Sequence, residues 1–240
     1  MAMHLAGRAI QGGLGKGLGK LAVPGFGAEI LYSFIIIACS LMIYFGTKEL
    51  YELSSHKGIK YFRLAFLFFA FAYFSRSFIK FIITSFDIKI ISDISPRALG
   101  AVFGTITIFI FMYFSAMAIF YLLYSVMWKK WKSKTIYNFH ALALIMASAT
   151  VILRTPLIYL AINLILLFFV TLTYYISRKQ SHKKNSLHII YILLFIFWTI
   201  NILDILIPNF FQSVQLFIYL ASSGVFLAIL YKVLKKTGSN

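Results

Sequence analysis

The chain has 240 residues, 61 % of them hydrophobic and only 12 % charged, where a soluble domain carries about 45–50 % apolar and about 25 % charged residues. That composition excludes a water-soluble enzyme, a disordered chain and a disulfide-stapled secreted domain. Its one cysteine, Cys39, lies inside an apolar run and reads as a small packing residue. The 23 Lys and Arg against 6 Asp and Glu give a net charge of +17. They gather in short connections between apolar runs, which points to a membrane surface and not to nucleic acid.

Residues 1–27 form a Gly-rich basic tail. Leu14 and Leu18 sit four apart, as do Lys16 and Lys20, so a helix would place each pair on one face against lipid. Six glycines between Gly7 and Gly19 weaken that helix in water. No apolar stretch with a cleavage site marks a signal peptide.

Residues 28–236 hold seven apolar segments, each able to cross a hydrocarbon core of about 30 Å as a helix. They are expected over Ala28–Phe45, Ile59–Phe86, Ala98–Trp128, Tyr137–Leu153, Leu157–Ile176, Leu187–Leu206 and Phe210–Val233. Alternating barrel periodicity is absent, so helices are the way to satisfy the backbone in lipid. Pro24, Pro96, Pro156 and Pro208 each fall just before an odd-numbered span, where a missing N–H costs nothing. A short tail, 237–240, closes the chain.

Connections one, three and five and the C-terminus carry fifteen cations, around Lys48–Arg63, Lys129–Lys134, Arg178–Lys184 and Lys232–Lys236. The opposite side carries six: Arg8, Lys16, Lys20, Lys89, Arg97 and Arg154. The imbalance predicts a multi-pass cell-membrane protein with its N-terminus outside and its C-terminus cytoplasmic. The basic inner loops suit anionic lipids, at about 1 kcal/mol per cation, and would equally dock an acidic cytoplasmic protein. Trp128 and Trp131 flank one of them as an interfacial belt would.

Small residues mark close helix packing: Ser115, Ala116 and Ala118; Ala141, Ala143, Ala147 and Ala149; Ala221 to Gly224. Gly100 and Gly104 form a GxxxG pair, read first as intrachain packing and second as a homo-oligomer contact. Phe62, Phe66, Phe68, Phe69, Phe71 and Phe74 crowd span two and read as lipid-facing filler.

The sharpest polar feature is Arg76 and Lys80, four apart on one face of span two, with Tyr73 three residues before Arg76. Arg76 lies about 25 Å along a helix starting at Ile59, where a charge costs up to about 2.5–3.5 kcal/mol. Glu29, Asp204, Arg154 and Asn201 fall at similar depth near span ends. One reading has Arg76 and Lys80 snorkel to phosphates or pair with Glu29 and Asp204. The other makes these seven residues a net-positive, outward-opening pocket for an anionic ligand or lipid.

His140 and His188 sit near the cytoplasmic ends of even spans and offer a weak metal or haem alternative; satisfied interfacial histidines are the commoner case. No catalytic motif is present: no G-x-S-x-G, H-E-x-x-H or P-loop, and no carboxylate pair within a span. No cofactor is expected.

Seven spans with this orientation resemble microbial rhodopsins in number. Those need a lysine midway along span seven, and here Lys232, Lys235 and Lys236 all lie at its end, so retinal is excluded. The topology also resembles SWEET-type sugar transporters, whose proline-glutamine signature is absent. It resembles the seven-span sensory modules that precede signalling domains, although this sequence ends four residues after Lys236. The expectation is an all-α bundle of seven transmembrane helices acting as a stand-alone receptor- or sensor-like binding module. A transporter or channel is the second expectation, kept open by polar mid-span residues such as Asn163. A membrane enzyme is the third.

Overall fold

A computed structural model describes residues 24–85, 96–153, 155–180, 187–206 and 212–238. They form eight helices: α1 Pro24–Gly46, α2 Lys48–Ser54, α3 Lys57–Ser85, α4 Pro96–Met127, α5 Thr135–Leu153, α6 Pro156–Gln180, α7 Leu187–Leu206 and α8 Gln212–Thr237. Seven are long and apolar enough to cross a membrane. The chain is therefore all-α among its described residues, and its seven long helices match the seven apolar segments to within a few residues. The expected interfacial tail over 1–27 lies largely outside the described residues.

Three prolines sit at first helical positions, Pro24, Pro96 and Pro156, where their fixed φ suits a helix start. Helix α2 was not expected. Its sequence, KELYELS, is too short and charged to register as a span, buries no residue and carries an i,i+4 pair, Lys48–Glu52, at 3.7 Å. Ser55 ends it in the left-handed region (φ 51°) with its N–H on the Tyr51 carbonyl at 2.8 Å. That cap turns the chain back into α3.

The long helices close a ring in the order α1, α3, α4, α6, α7, α8 and back to α1. Helix α5 stands outside it, packed mainly on α4 and less on α6. It buries one stripe, Ala143, Met146, Ala147 and Thr150, the i, i+3, i+4, i+7 pattern of a single contact face.

The two ends of the bundle pack differently. From Ser115 to Ser125 every residue of α4 is buried, because α3, α5, α6 and α7 surround it there. Ser125 Oγ lies 3.3 Å from the Tyr191 hydroxyl of α7. Gly58 lets α3 start so close to α4 that an added Cβ would meet the Ser125 carbonyl at 2.8 Å. Toward the other end, residues 102–111 of α4 are half-buried or exposed. The helices are tight at the basic end and looser at the end where α1 begins.

The small residues of α4 and α5 do pack. Ser115, Ala116, Ala118, Ala143 and Ala147 are all buried. Gly104 does not, since an added Cβ there would touch nothing within 4 Å; the expected intrachain contact is missing at that position. Cys39 is buried and free, as a packing residue.

The aromatic reading of α3 needs correcting. Phe62, Phe66 and Phe69 are core residues and not lipid filler, while Phe71 and Phe74 face outward. The spacing 62, 66, 69, 73 follows one helical face, and that face meets α7 and α8.

Arg63 also differs from its expected place in a basic loop. It is buried, its Nε donates to the Tyr44 carbonyl at 3.0 Å, and its guanidinium lies 4.8 Å from the Tyr44 ring centroid. It thereby caps the C-terminal carbonyls of α1, where a cation is favoured.

Candidate ligand chamber

Helices α3 and α7 run parallel and meet in rungs. Phe69 faces Phe197 and Trp198, each with centroids 6.4 Å apart. One turn on, the Tyr73 hydroxyl donates to Asn201 Oδ1 at 3.1 Å. One turn further lie Arg76 and Asp204, three residues beyond Tyr73 and Asn201, so the i,i+3 rule keeps each on the same face.

Helix α1 completes the Tyr73 rung. The Tyr32 hydroxyl lies 3.0 Å from that of Tyr73 and 3.1 Å from Asn201 Oδ1. Asn201 Nδ2 donates to the Phe197 carbonyl at 2.8 Å, which fixes the amide so that Oδ1 faces both hydroxyls. Tyr219 of α8 stacks on Tyr32, centroids 5.0 Å apart. Three helices are thus tied together by one buried polar knot, with α8 stacked against it, and buried hydroxyls need such partners.

Above the knot, Arg76 is held by Glu29. Its Nε and Nη2 both donate to Glu29 Oε1, at 3.0 and 2.8 Å. The two side chains are 21 % and 15 % exposed, so the pair is well shielded and the cost of the cation in an apolar environment is offset locally. Phe111 sits under the guanidinium at 5.5 Å, within cation–π reach.

These rungs wall a cavity of about 310 Å³ between α3, α4, α6 and α7. Tyr73 and Arg76 line it from α3, with Thr107, Ile108 and Phe111 from α4. Tyr159 and Asn163 enter from α6, and Trp198, Asn201, Asp204 and Ile205 from α7. Glu29 is not in the lining: it stands behind Arg76 and aims it. The Trp198 indole donates to the Asn163 carbonyl at 3.2 Å, and Asn163 Nδ2 donates to the Tyr159 carbonyl at 2.8 Å, locking the α6–α7 wall.

One turn toward the basic end from the Tyr73–Asn201 rung, α3, α7 and α8 meet in an aromatic cluster. Phe66, Phe69, Phe197 and Phe226 are each no more than 1 % exposed. Phe197 and Phe226 meet at 4.9 Å, and Phe69 and Phe226 at 6.1 Å. No polar side chain interrupts this group of four.

Of the residues expected at the site, Arg76, Tyr73, Asn201, Asp204 and Glu29 come together. The side chain of Lys80, and Arg154, lie outside the described residues. The structure adds Tyr32, Thr107, Phe111, Tyr159, Asn163 and Trp198. Two of these carried a signal in the sequence: Trp198 precedes Asn201 by three, and Tyr32 follows Glu29 by three, the spacing of a shared face.

The histidines do not converge. His140 Nδ1 lies 2.8 Å from the Tyr113 hydroxyl and Nε2 3.4 Å from that of Tyr121, so α4 engages both ring nitrogens. Among the described residues no group of three or more His, Cys, Asp or Glu is placed to hold a metal. The described lining carries one carboxylate, Asp204, and the hydroxyl residues Tyr73, Thr107 and Tyr159.

No family model matches this chain, and no solved structure matches it. It is similar to a protein of Archaeoglobus fulgidus described as an uncharacterized protein, 31 % identical over 216 residues, covering 87 % of this chain and 92 % of the relative. The chain belongs to the same family as that archaeal protein. Likeness over so much of both chains spans the bundle as a whole.

Proposed function

We propose that this chain is a receptor- or sensor-like membrane module that binds a small ligand bearing an anionic group at Arg76. The carrying observation is the arrangement of Arg76: one face clamped by Glu29 at 2.8 and 3.0 Å, the other lining a cavity of about 310 Å³. A guanidinium offers five donors. Two are used by Glu29, and a preorganised cation is what an anionic group recognises through charge-assisted hydrogen bonds. Aromatic walls and a few placed polar groups are the usual make-up of a small-molecule site.

The charge distribution supports placing the chamber on the outer side of the cell membrane, with the N-terminus outside. Ligand would then enter from outside, and the basic loops at the far end would face anionic lipids and a separate cytoplasmic partner.

Native mass spectrometry of the detergent-purified protein tests this reading. Wild type should retain a small molecule that Arg76→Ala loses while its fold is kept. Equal retention by both proteins would remove Arg76 as the anchor.

A further inference from the structure

We propose that the chamber selects a dipolar ligand of net charge zero, whose anionic group meets Arg76 and whose cationic group turns toward Asp204. The proposal rests on the ligand-binding reading above and narrows its ligand class.

The argument is one of charge and placement. Tyr73 and Asn201 touch across the chamber floor at 3.1 Å. Because α3 and α7 are parallel, the next turn of each presents Arg76 on one wall and Asp204 on the other, both in the cavity lining. The two lining charges are therefore of opposite sign and stand on different helices. Glu29 already offsets Arg76 from behind.

A simple anion meets Arg76 and makes no contact of opposite sign with the carboxylate on the facing wall. A simple cation leaves the cavity face of Arg76 unanswered. A dipolar ligand answers both walls and leaves the local charge unchanged. Asp204 is itself engaged in the fold, and a carboxylate has about four lone-pair sites, so it can accept from a ligand as well. The walls between the two charges are the rings of Tyr73, Phe111, Tyr159 and Trp198. They suit an apolar or aromatic body, and a ring stacks on them or meets them edge-on.

Three probes of nearly equal size separate the possibilities: phenylalanine (both charges), 3-phenylpropionate (anion only) and phenethylamine (cation only). Binding of each to the full-length, detergent-purified protein is measured by titration calorimetry. The expected result is that phenylalanine binds about tenfold or more tighter than either of the others, the scale of one charge-assisted hydrogen bond. In Asp204→Asn the advantage of phenylalanine over 3-phenylpropionate should disappear. In Arg76→Gln both carboxylate probes should weaken.

The wild-type ranking decides the matter even where a variant fails to fold. Tighter binding of 3-phenylpropionate than of phenylalanine overturns the dipolar assignment and leaves the anionic reading of Arg76 standing. Tighter binding of phenethylamine overturns both. Failure of all three to bind overturns the dipolar assignment, and ligand retention in the Arg76→Ala comparison then decides the broader reading separately.

Discussion

Glu29 and Arg76, 47 positions apart in the chain, meet through two hydrogen bonds of 2.8 and 3.0 Å on one carboxylate oxygen. This pair joins the start of α1 to the C-terminal half of α3 and makes a cation tolerable among apolar helices. Breaking it from one side leaves a shielded charge without its counterion, which costs more than the pair contributes. Glu29→Gln should lower stability by about 2–4 kcal/mol. The double variant Glu29→Gln/Arg76→Gln should recover much of that loss. Thermal unfolding in detergent, read as a double-mutant cycle, checks this; additive losses would contradict the coupling.

Asn201 should matter more than either tyrosine it serves. Tyr73→Phe removes one hydroxyl and should cost about 1 kcal/mol. Asn201→Leu removes the shared acceptor of the Tyr32 and Tyr73 hydroxyls, 3 % and 2 % exposed as residues; one can still donate to the other at 3.0 Å, which leaves one buried O–H unpaired at about 1–3 kcal/mol. Chemical unfolding of the two variants side by side gives the order, and equal losses would count against the knot.

Two glycines should respond in opposite directions to alanine. At Gly58 the added Cβ meets the Ser125 carbonyl at 2.8 Å and the His56 ring at 2.9 Å, so Gly58→Ala should destabilise by about 1–3 kcal/mol. At Gly104 it meets nothing within 4 Å, and Gly104→Ala should gain about 0.5–1 kcal/mol of helix stability. A loss at Gly104 accompanied by a smaller oligomer on size exclusion would instead mark that face as a contact between copies.

Buried and exposed phenylalanines should differ sharply in what their removal costs. Phe197→Ala removes a fully buried ring packed on Phe69, Tyr73 and Phe226 and should cost about 3–5 kcal/mol. Phe168→Ala, at a position 62 % exposed, should change stability by less than about 0.5 kcal/mol. Melting temperatures of the two variants measure the contrast.

Much of this was legible in the sequence because lipid imposes a coarse rule: an apolar run of about 20 residues becomes a helix. The seven long helices follow from that, as does the alignment of Tyr73 with Arg76, since i,i+3 spacing fixes a face without any knowledge of neighbours. The pairing of Arg76 with Glu29 was one of the options the charges allowed. Which helices touch was not legible. Mean hydropathy along α3 does not distinguish Phe69, which meets Phe197, from Phe71, which faces outward; in so apolar a helix the periodic contrast that marks a buried face is nearly flat. For the same reason α5 gave no sign that it stands outside the ring. Arg63, counted with the cations of the first connection, has a backbone carbonyl as its partner, that of Tyr44, and no side-chain pattern announces such a bond.

Side-specific labelling tests the central claim most directly: seven crossings with the chamber on the outside. In a Cys39→Ala background, single cysteines replace Thr155, between α5 and α6 at the chamber end, and Ser133, between α4 and α5 at the basic end; both positions are exposed. A membrane-impermeant maleimide applied to intact cells should label position 155 and reach position 133 only after lysis. Labelling of 133 in intact cells, or of 155 only after lysis, would contradict the orientation on which the outward-opening chamber depends.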